Sequence, residues 1–298
     1  MTSDPASGRK SGLPHALGAY LIWGFLPIYL IFVRAVPAVE FVGWRIIWTL
    51  PICLAIVAAR RQFPALKEAL SSGKSMAMLM LSALLIAVNW LIYIWAIQNG
   101  HVYAASMGYY LNPLINVLLG TVLLGERLSR LQWCAVAIAA IAVALLLAGA
   151  LTSLWISLSL GLSFGTYGLI RKQVPVGSLP GLTLESAFLL VPAAGVALWY
   201  AMSPQGSSFG HDPGLSLLII LGGALTAFPL LLFAIAARRM DFSTLGFVQF
   251  LAPSIVFILG LTIFHEPLRP AQLGSFVLIW LAIAVFVWDL LKRRSNKA

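Results

Sequence analysis

Chemistry in this chain has few places to reside. Nine acidic and nineteen basic residues are spread over 298 positions, and most stand at the ends of long apolar runs. Polar groups inside those runs are therefore the candidates. Asn89 and Tyr93 lie four residues apart, and so share one helical face. Ser106, Tyr110, Pro113 and Asn116 step by three or four along a second run, and Ser163 with Tyr167 repeats the spacing of four. Trp23, Phe228 and Gln249 put a ring or an amide near mid-depth of three more runs. Amides offer donors and acceptors, while aromatic faces attract an ammonium group or cover an apolar side chain. This set suits a neutral or zwitterionic organic solute better than a phosphate ester, which calls for several Lys or Arg. The competing reading of each residue is a helix-to-helix hydrogen bond or core packing.

Charged groups inside runs are fewer still. Arg45 sits about 10 Å from the outer end of its run at 1.5 Å per residue. It can receive a substrate carboxylate, snorkel outward or cap a neighbouring carbonyl. Glu185, about a turn inside its run, is the one acidic residue placed to bind a proton; no carboxylate falls near the middle of any run. Glu126 and Glu266 open the turns after two runs, where a carboxylate can accept backbone N–H groups at the start of the next helix. Cys53 and Cys134 read as small hydrophobes, and His15, His101, His211 and His265 lie at run ends or in loops. No catalytic residue, metal or cofactor is expected, and a membrane enzyme would need paired Asp or a buried His.

The elements that position these groups follow from composition. The chain is 61% hydrophobic and 9% charged, with a mean hydropathy of +0.96, against roughly 25% charged residues in soluble domains. That excludes a soluble enzyme, a disordered chain and a disulfide scaffold, and indicates an all-α integral membrane protein. The formal charge of +10 comes from residues at run ends and forms no nucleic-acid patch. Cutting at the charges gives ten spans. The first five lie in 11–33, 38–58, two in 75–125 divided at Asn99-Gly100-His101, and the first of two in 131–170 divided near Gly149 to Thr152. The rest are the second of that pair, then 180–201, 214–237, 242–264 and 270–290. The first span is too long for a signal-peptide core and reads as retained. Sixteen of the nineteen Lys and Arg fall on one side and two on the other. Both termini and the loop 59–74 are thus expected in the cytoplasm.

An internal repeat organises the spans. Shifted by 140 positions, Leu111-Asn112-Pro113 falls on Leu251-Ala252-Pro253, Gly120 on Gly260 and Glu126 on Glu266; eight of the 22 positions from 111 to 132 are identical. Each half then holds five spans, an odd number, so the second half enters the membrane inverted. The halves run 13–148 and 151–291, with tails 1–12 and 292–298. Inverted repeats are a transporter architecture with a site at the midplane between halves. Pro113 and Pro253 should each free a backbone carbonyl one turn earlier. Asn116, beyond Pro113 toward the cytoplasm, should matter less than Asn89 or Gln249. Gly161 and Gly165, with Ser157 a step before, should let two helices approach closely.

Several stretches carry a family resemblance: Ala19-Tyr20-Leu21-Ile22-Trp23-Gly24, Trp44-Arg45-Ile46-Ile47-Trp48, Asn89-Trp90 with Tyr93-Ile94-Trp95-Ala96, and Gly108-Tyr109-Tyr110-Leu111-Asn112-Pro113-Leu114. Ser163-Phe164-Gly165-Thr166-Tyr167-Gly168, Pro229-Leu230-Leu231-Leu232-Phe233 and Gly246-Phe247 through Pro253 continue it. The chain resembles the drug/metabolite transporter superfamily in its ten-helix form with two EamA-type halves. It is most like the RarD-like branch and similar in architecture to the YddG-type amino-acid exporters. The resemblance implies export of small metabolites, amino acids foremost, across the cytoplasmic (inner) membrane. The partners it implies are the solute and the lipid bilayer, with one chain acting as a monomer. A multidrug or toxic-compound exporter is the alternative. The small four-helix multidrug members of the superfamily use a membrane-embedded glutamate that this chain lacks at mid-span.

Overall fold

The computed structural model describes residues 12–99, 101–147, 154–265 and 270–295. They form twelve helices and, among the described residues, no strand. These are α1 (Leu13–Phe32), α2 (Ala38–Ala59), α3 (Phe63–Ser71), α4 (Gly73–Gln98), α5 (Val102–Leu123) and α6 (Arg130–Leu147). The second half gives α7 (Leu154–Gln173), α8 (Ser178–Ala201), α9 (Pro213–Arg239), α10 (Phe242–Gln249), α11 (Leu251–Thr262) and α12 (Pro270–Ser295).

Eight described segments are long and apolar enough to cross a bilayer, α10 and α11 counting as one segment over Phe242–Thr262. The other two expected spans are α5 and α7, which are 22 and 20 residues long. Ser, Asn, Tyr and Gly interrupt their apolar sequence, and the two pack against each other inside the bundle. Helices sheltered by neighbours tolerate polar residues that lipid-facing ones do not. The opposite composition marks the outside: Val191 is 78% exposed, Trp199 73% and Trp288 69%, an apolar surface that only lipid can cover.

Helix starts repeat with the sequence. Ala38 and Ser178, Gly73 and Pro213, Val102 and Phe242, and Arg130 and Pro270 are each 140 residues apart, and Leu13 and Leu154 are 141 apart. The main pairings also survive exchange of the halves. α2 packs on α8, α6 on α12 and α5 on α10, each pair exchanging with itself. The α5–α7 contact exchanges with α1–α11, α4–α7 with α1–α9, and α2–α9 with α4–α8.

Three expectations change in the folded chain. The loop 59–74 contains α3, whose Pro64 suits the first helical turn and whose Ala69 packs with Leu79, Val174, Val176 and Leu184. The two prolines do not act alike: α5 runs unbroken through Pro113, whereas the ninth span breaks at Phe250, three residues before Pro253. Along α5, glycines press in from α7, where a Cβ at Gly165 would stand 2.7 Å from Ile115 Cγ2. That tight contact, which Gly161 extends, lies beside the proline turn of α5. Finally, Arg171, one of the sixteen Lys and Arg assigned to the basic side, is wholly buried. The turn near Gly149 to Thr152, Gly100 and Glu266 fall outside the described residues.

Candidate functional site

Arg45 is held between the halves. Its Nε donates to Thr226 Oγ1 of α9 at 2.8 Å, and Thr226 in turn donates to the Gly222 carbonyl at 2.8 Å. The guanidinium lies 5.6 Å from the Phe41 ring centre and 5.8 Å from that of Trp90. Tyr29, Tyr93 and Tyr109 are near enough to feel its charge, and Tyr93 meets Tyr109 edge-on at 5.8 Å. Among the described residues no carboxylate comes within ion-pair distance of it. A cation inside a membrane protein without an anion is costly, and aromatic faces offset only part of that cost. The arrangement can take up a carboxylate.

A small cavity of about 20 Å³ adjoins this cage, walled by Ile46, Thr49, Ile86, Trp90, Tyr167, Glu185, Ser186, Leu189 and Thr226, with Leu182 and Leu230 closing it. It has room for one water-sized group. Organic ligands occupy pockets of roughly 300 Å³ or more, so a solute needs the walls to move apart. Along α2, α8 and α9, three of the five helices that wall the cavity, a wider vestibule of about 450 Å³ lies toward the basic end. Ile56, Leu179, Leu231 and Ile235 line it, with Arg60, Arg238 and Arg239 at its mouth.

The sequence candidates separate into distinct places. Tyr167 lines the cavity and is fully buried. Tyr93 stands by Arg45. Asn89 and Ser163 satisfy each other: Asn89 Nδ2 donates to Ser163 Oγ at 2.9 Å and to the Leu160 carbonyl at 2.8 Å, fastening α4 to α7. Gln249 Oε1 accepts from Asn116 Nδ2 at 2.9 Å and lies 3.5 Å from the Tyr20 hydroxyl, joining α10, α5 and α1 just before the break. Trp23 belongs to an aromatic cluster with Tyr20, Phe164 and Phe233, at 5.6–5.9 Å between centres. Ser106 and Tyr110 are half-buried on α5, where Tyr110 faces Phe276 of α12 and not the cavity. Phe228 is 47% exposed, since Thr226 and Leu230 form the cavity face of α9.

Thr226, Trp90, Thr49 and Ser186 were not singled out by the spacing. A lone Thr or Ser in a helix has no pattern that marks it, and only the partner helix reveals its use. Glu126 also departs from expectation. Its carboxylate accepts from the Phe242 and Ser243 N–H groups at 2.6 and 2.8 Å and from Ser243 Oγ at 2.7 Å. It caps α10 from the other half and not the next helix in sequence.

Comparison with known proteins fits this picture. The profile of the EamA-like transporter family matches residues 10–148. Protein RarD of Streptomyces exfoliatus is 39% identical over 290 residues, covering 97% of this chain and 92% of its own. The chain belongs to the RarD-like branch of the drug/metabolite transporter superfamily. Another relative in this branch, an uncharacterized transporter of Pseudomonas aeruginosa, is 40% identical over 280 residues, 94% of each chain. A solved crystal structure superposes with a TM-score of 0.74 at 20% identity, over 96% of this chain and all of that one. At that identity the likeness shows the fold. The chain is a multi-pass membrane transporter of the RarD-like type.

Proposed function

We propose that this transporter exports small carboxylate-bearing metabolites, amino acids foremost, across the cytoplasmic membrane by alternating access. It acts as a monomer in the bilayer with both termini in the cytoplasm. The observation that carries the substrate class is Arg45: a cation held by Thr226 under two aromatic rings, with no carboxylate of the described chain to neutralise it. A substrate carboxylate completes that site, and Trp90 and Tyr93 offer faces for an ammonium group or an apolar side chain. The mechanism draws on the repeat. Halves of residues 13–148 and 151–291 rock about the α2–α8, α5–α10 and α6–α12 contacts, which exchange of the halves leaves in place. The closed cavity widens toward one side and then the other.

The test is transport itself. The purified chain is reconstituted in liposomes loaded with a panel of labelled amino acids, their decarboxylated amines and uncharged drugs. Efflux of one or more amino acids, with the matching amines left behind, is the expected result. Efflux of the drugs alone would replace this reading with the multidrug one.

A further inference from the structure

Glu185 and Arg45 are 140 residues apart, the offset that superposes the two halves. Each stands seven positions beyond the first residue of its helix, Ala38 for α2 and Ser178 for α8. Each is tied to a hydroxyl of the opposite half. Arg45 donates to Thr226 on α9, and Glu185 accepts a short hydrogen bond from Ser82 on α4. The small cavity is lined by Glu185 and by Thr226 and Trp90, both of which touch Arg45. Opposite charges thus occupy equivalent points of the repeat, Glu185 in the cavity wall and Arg45 behind two of its lining residues.

Glu185 is incompletely satisfied. Its Oε1 lies 3.5 Å from Arg171 Nη1, both side chains being almost wholly buried. Its Oε2 has no hydrogen-bond partner, nor do Nε and Nη1 of Arg171. The Tyr167 hydroxyl faces the same carboxyl without closing a hydrogen bond. Room for Arg171 is built in, because any side chain at Gly181 would occupy the guanidinium's place. Arg171 Nη2 donates to the Ser178 carbonyl at 2.7 Å, and Ser178 lines the vestibule. Glu185 in the cavity wall is thus linked through Arg171 to Ser178 in the vestibule wall. A buried pair with polar atoms unmet is a poor structural device, since desolvation rivals the attraction.

We propose that Glu185 is a proton-binding site, that its pair with Arg171 partitions the vestibule from the cavity, and that protonation releases this partition. A proton entering from the vestibule adds to Oε2. The neutral carboxyl donates to the Tyr167 hydroxyl, and Arg171 loses its counter-ion. The tie of α8 to α4 and α7 weakens, and the basic end can open. Other groups facing the pair are Cys53 on α2 and Thr183 on α8, with Arg238 on α9 facing Arg171. None of these supplies a second carboxylate. The idea of a gate rests on the transporter reading above; proton binding stands without it.

The experiment is infrared difference spectroscopy of the full chain in phosphatidylcholine liposomes, stepped from about pH 8.5 to about pH 5.5. A carboxylic-acid C=O band that grows on acidification is expected. It should vanish in Glu185→Gln and titrate at a different pH in Ser82→Ala, which removes the donor to the carboxylate. It should persist in Glu40→Gln, which alters a buried carboxylate of α2 that accepts from Ser207 and Ser208 instead. No titrating band, or one that neither Glu185→Gln nor Ser82→Ala alters, overturns the proposal. If Glu185→Gln does not fold, the Ser82→Ala shift decides alone. Transport runs in the same liposomes separate the two readings: a Glu185 band with no amino-acid efflux sinks the substrate assignment and leaves the proton site standing.

Discussion

Arg45 and Gln249 show how a side chain's role is decided by a neighbour far away in sequence. Spacing placed Arg45 inside a span, but Thr226, 181 residues on, holds it in the cleft instead of letting it snorkel. Arg45→Gln should weaken binding of carboxylate solutes roughly ten- to a hundredfold, the worth of about 1.5–3 kcal/mol for a charged hydrogen bond. Amine analogues should be unaffected. Arg45→Lys should recover only part, because an ammonium cannot reproduce the planar fork. Competition binding to purified protein measures all three. Asn116 was expected to matter less than Gln249, yet the two amides bond each other at 2.9 Å. Asn116→Ala and Gln249→Ala should therefore cost similar stability, about 1 kcal/mol each, and the double variant should cost little more than either. A double-mutant cycle by thermal melting checks this, and additive losses would contradict it. Periodicity showed that such residues share a face but not which helix meets that face.

At the scale of elements the sequence was more legible, because apolar length and charge placement report directly on spans. Gly161 and Gly165 were expected to permit close approach, and Ile115 of α5 fills that space. Gly161→Leu should thus sharply lower the yield of folded protein, as overpacking cannot relax between two buried helices. Size-exclusion profiles in detergent read it out. What was hidden was each element's long-range support. α3 is too short for a hydropathy signal, and the cap of α10 comes from Glu126, 116 residues before Phe242. Glu126 makes three hydrogen bonds to Phe242 and Ser243, so Glu126→Gln should lower stability by about 1–3 kcal/mol. Unfolding unchanged by this substitution would remove Glu126 as the cap.

For the whole molecule, the repeat carries most of the information. The 140-residue offset was visible in a few identities, and helix starts and helix pairings follow it. The cavity itself was not visible, since Trp90, Tyr167, Glu185 and Thr226 come from four helices and meet only after packing. Topology is the simplest global check. A reporter fused at Ala298 should be active only in the cytoplasm, as the distribution of Lys and Arg requires. Alternating access through the cavity that Glu185 lines beside the Arg45 cage is the central claim, and side-specific labelling addresses it most directly. Ser186 lines the cavity, and the chain's two native thiols can be removed as Cys53→Ser and Cys134→Ser. In that background Ser186→Cys should react with a membrane-impermeant thiol reagent added from either side of sealed vesicles, and a transported solute should slow both reactions. Reaction from one side only, or from neither, would contradict the account.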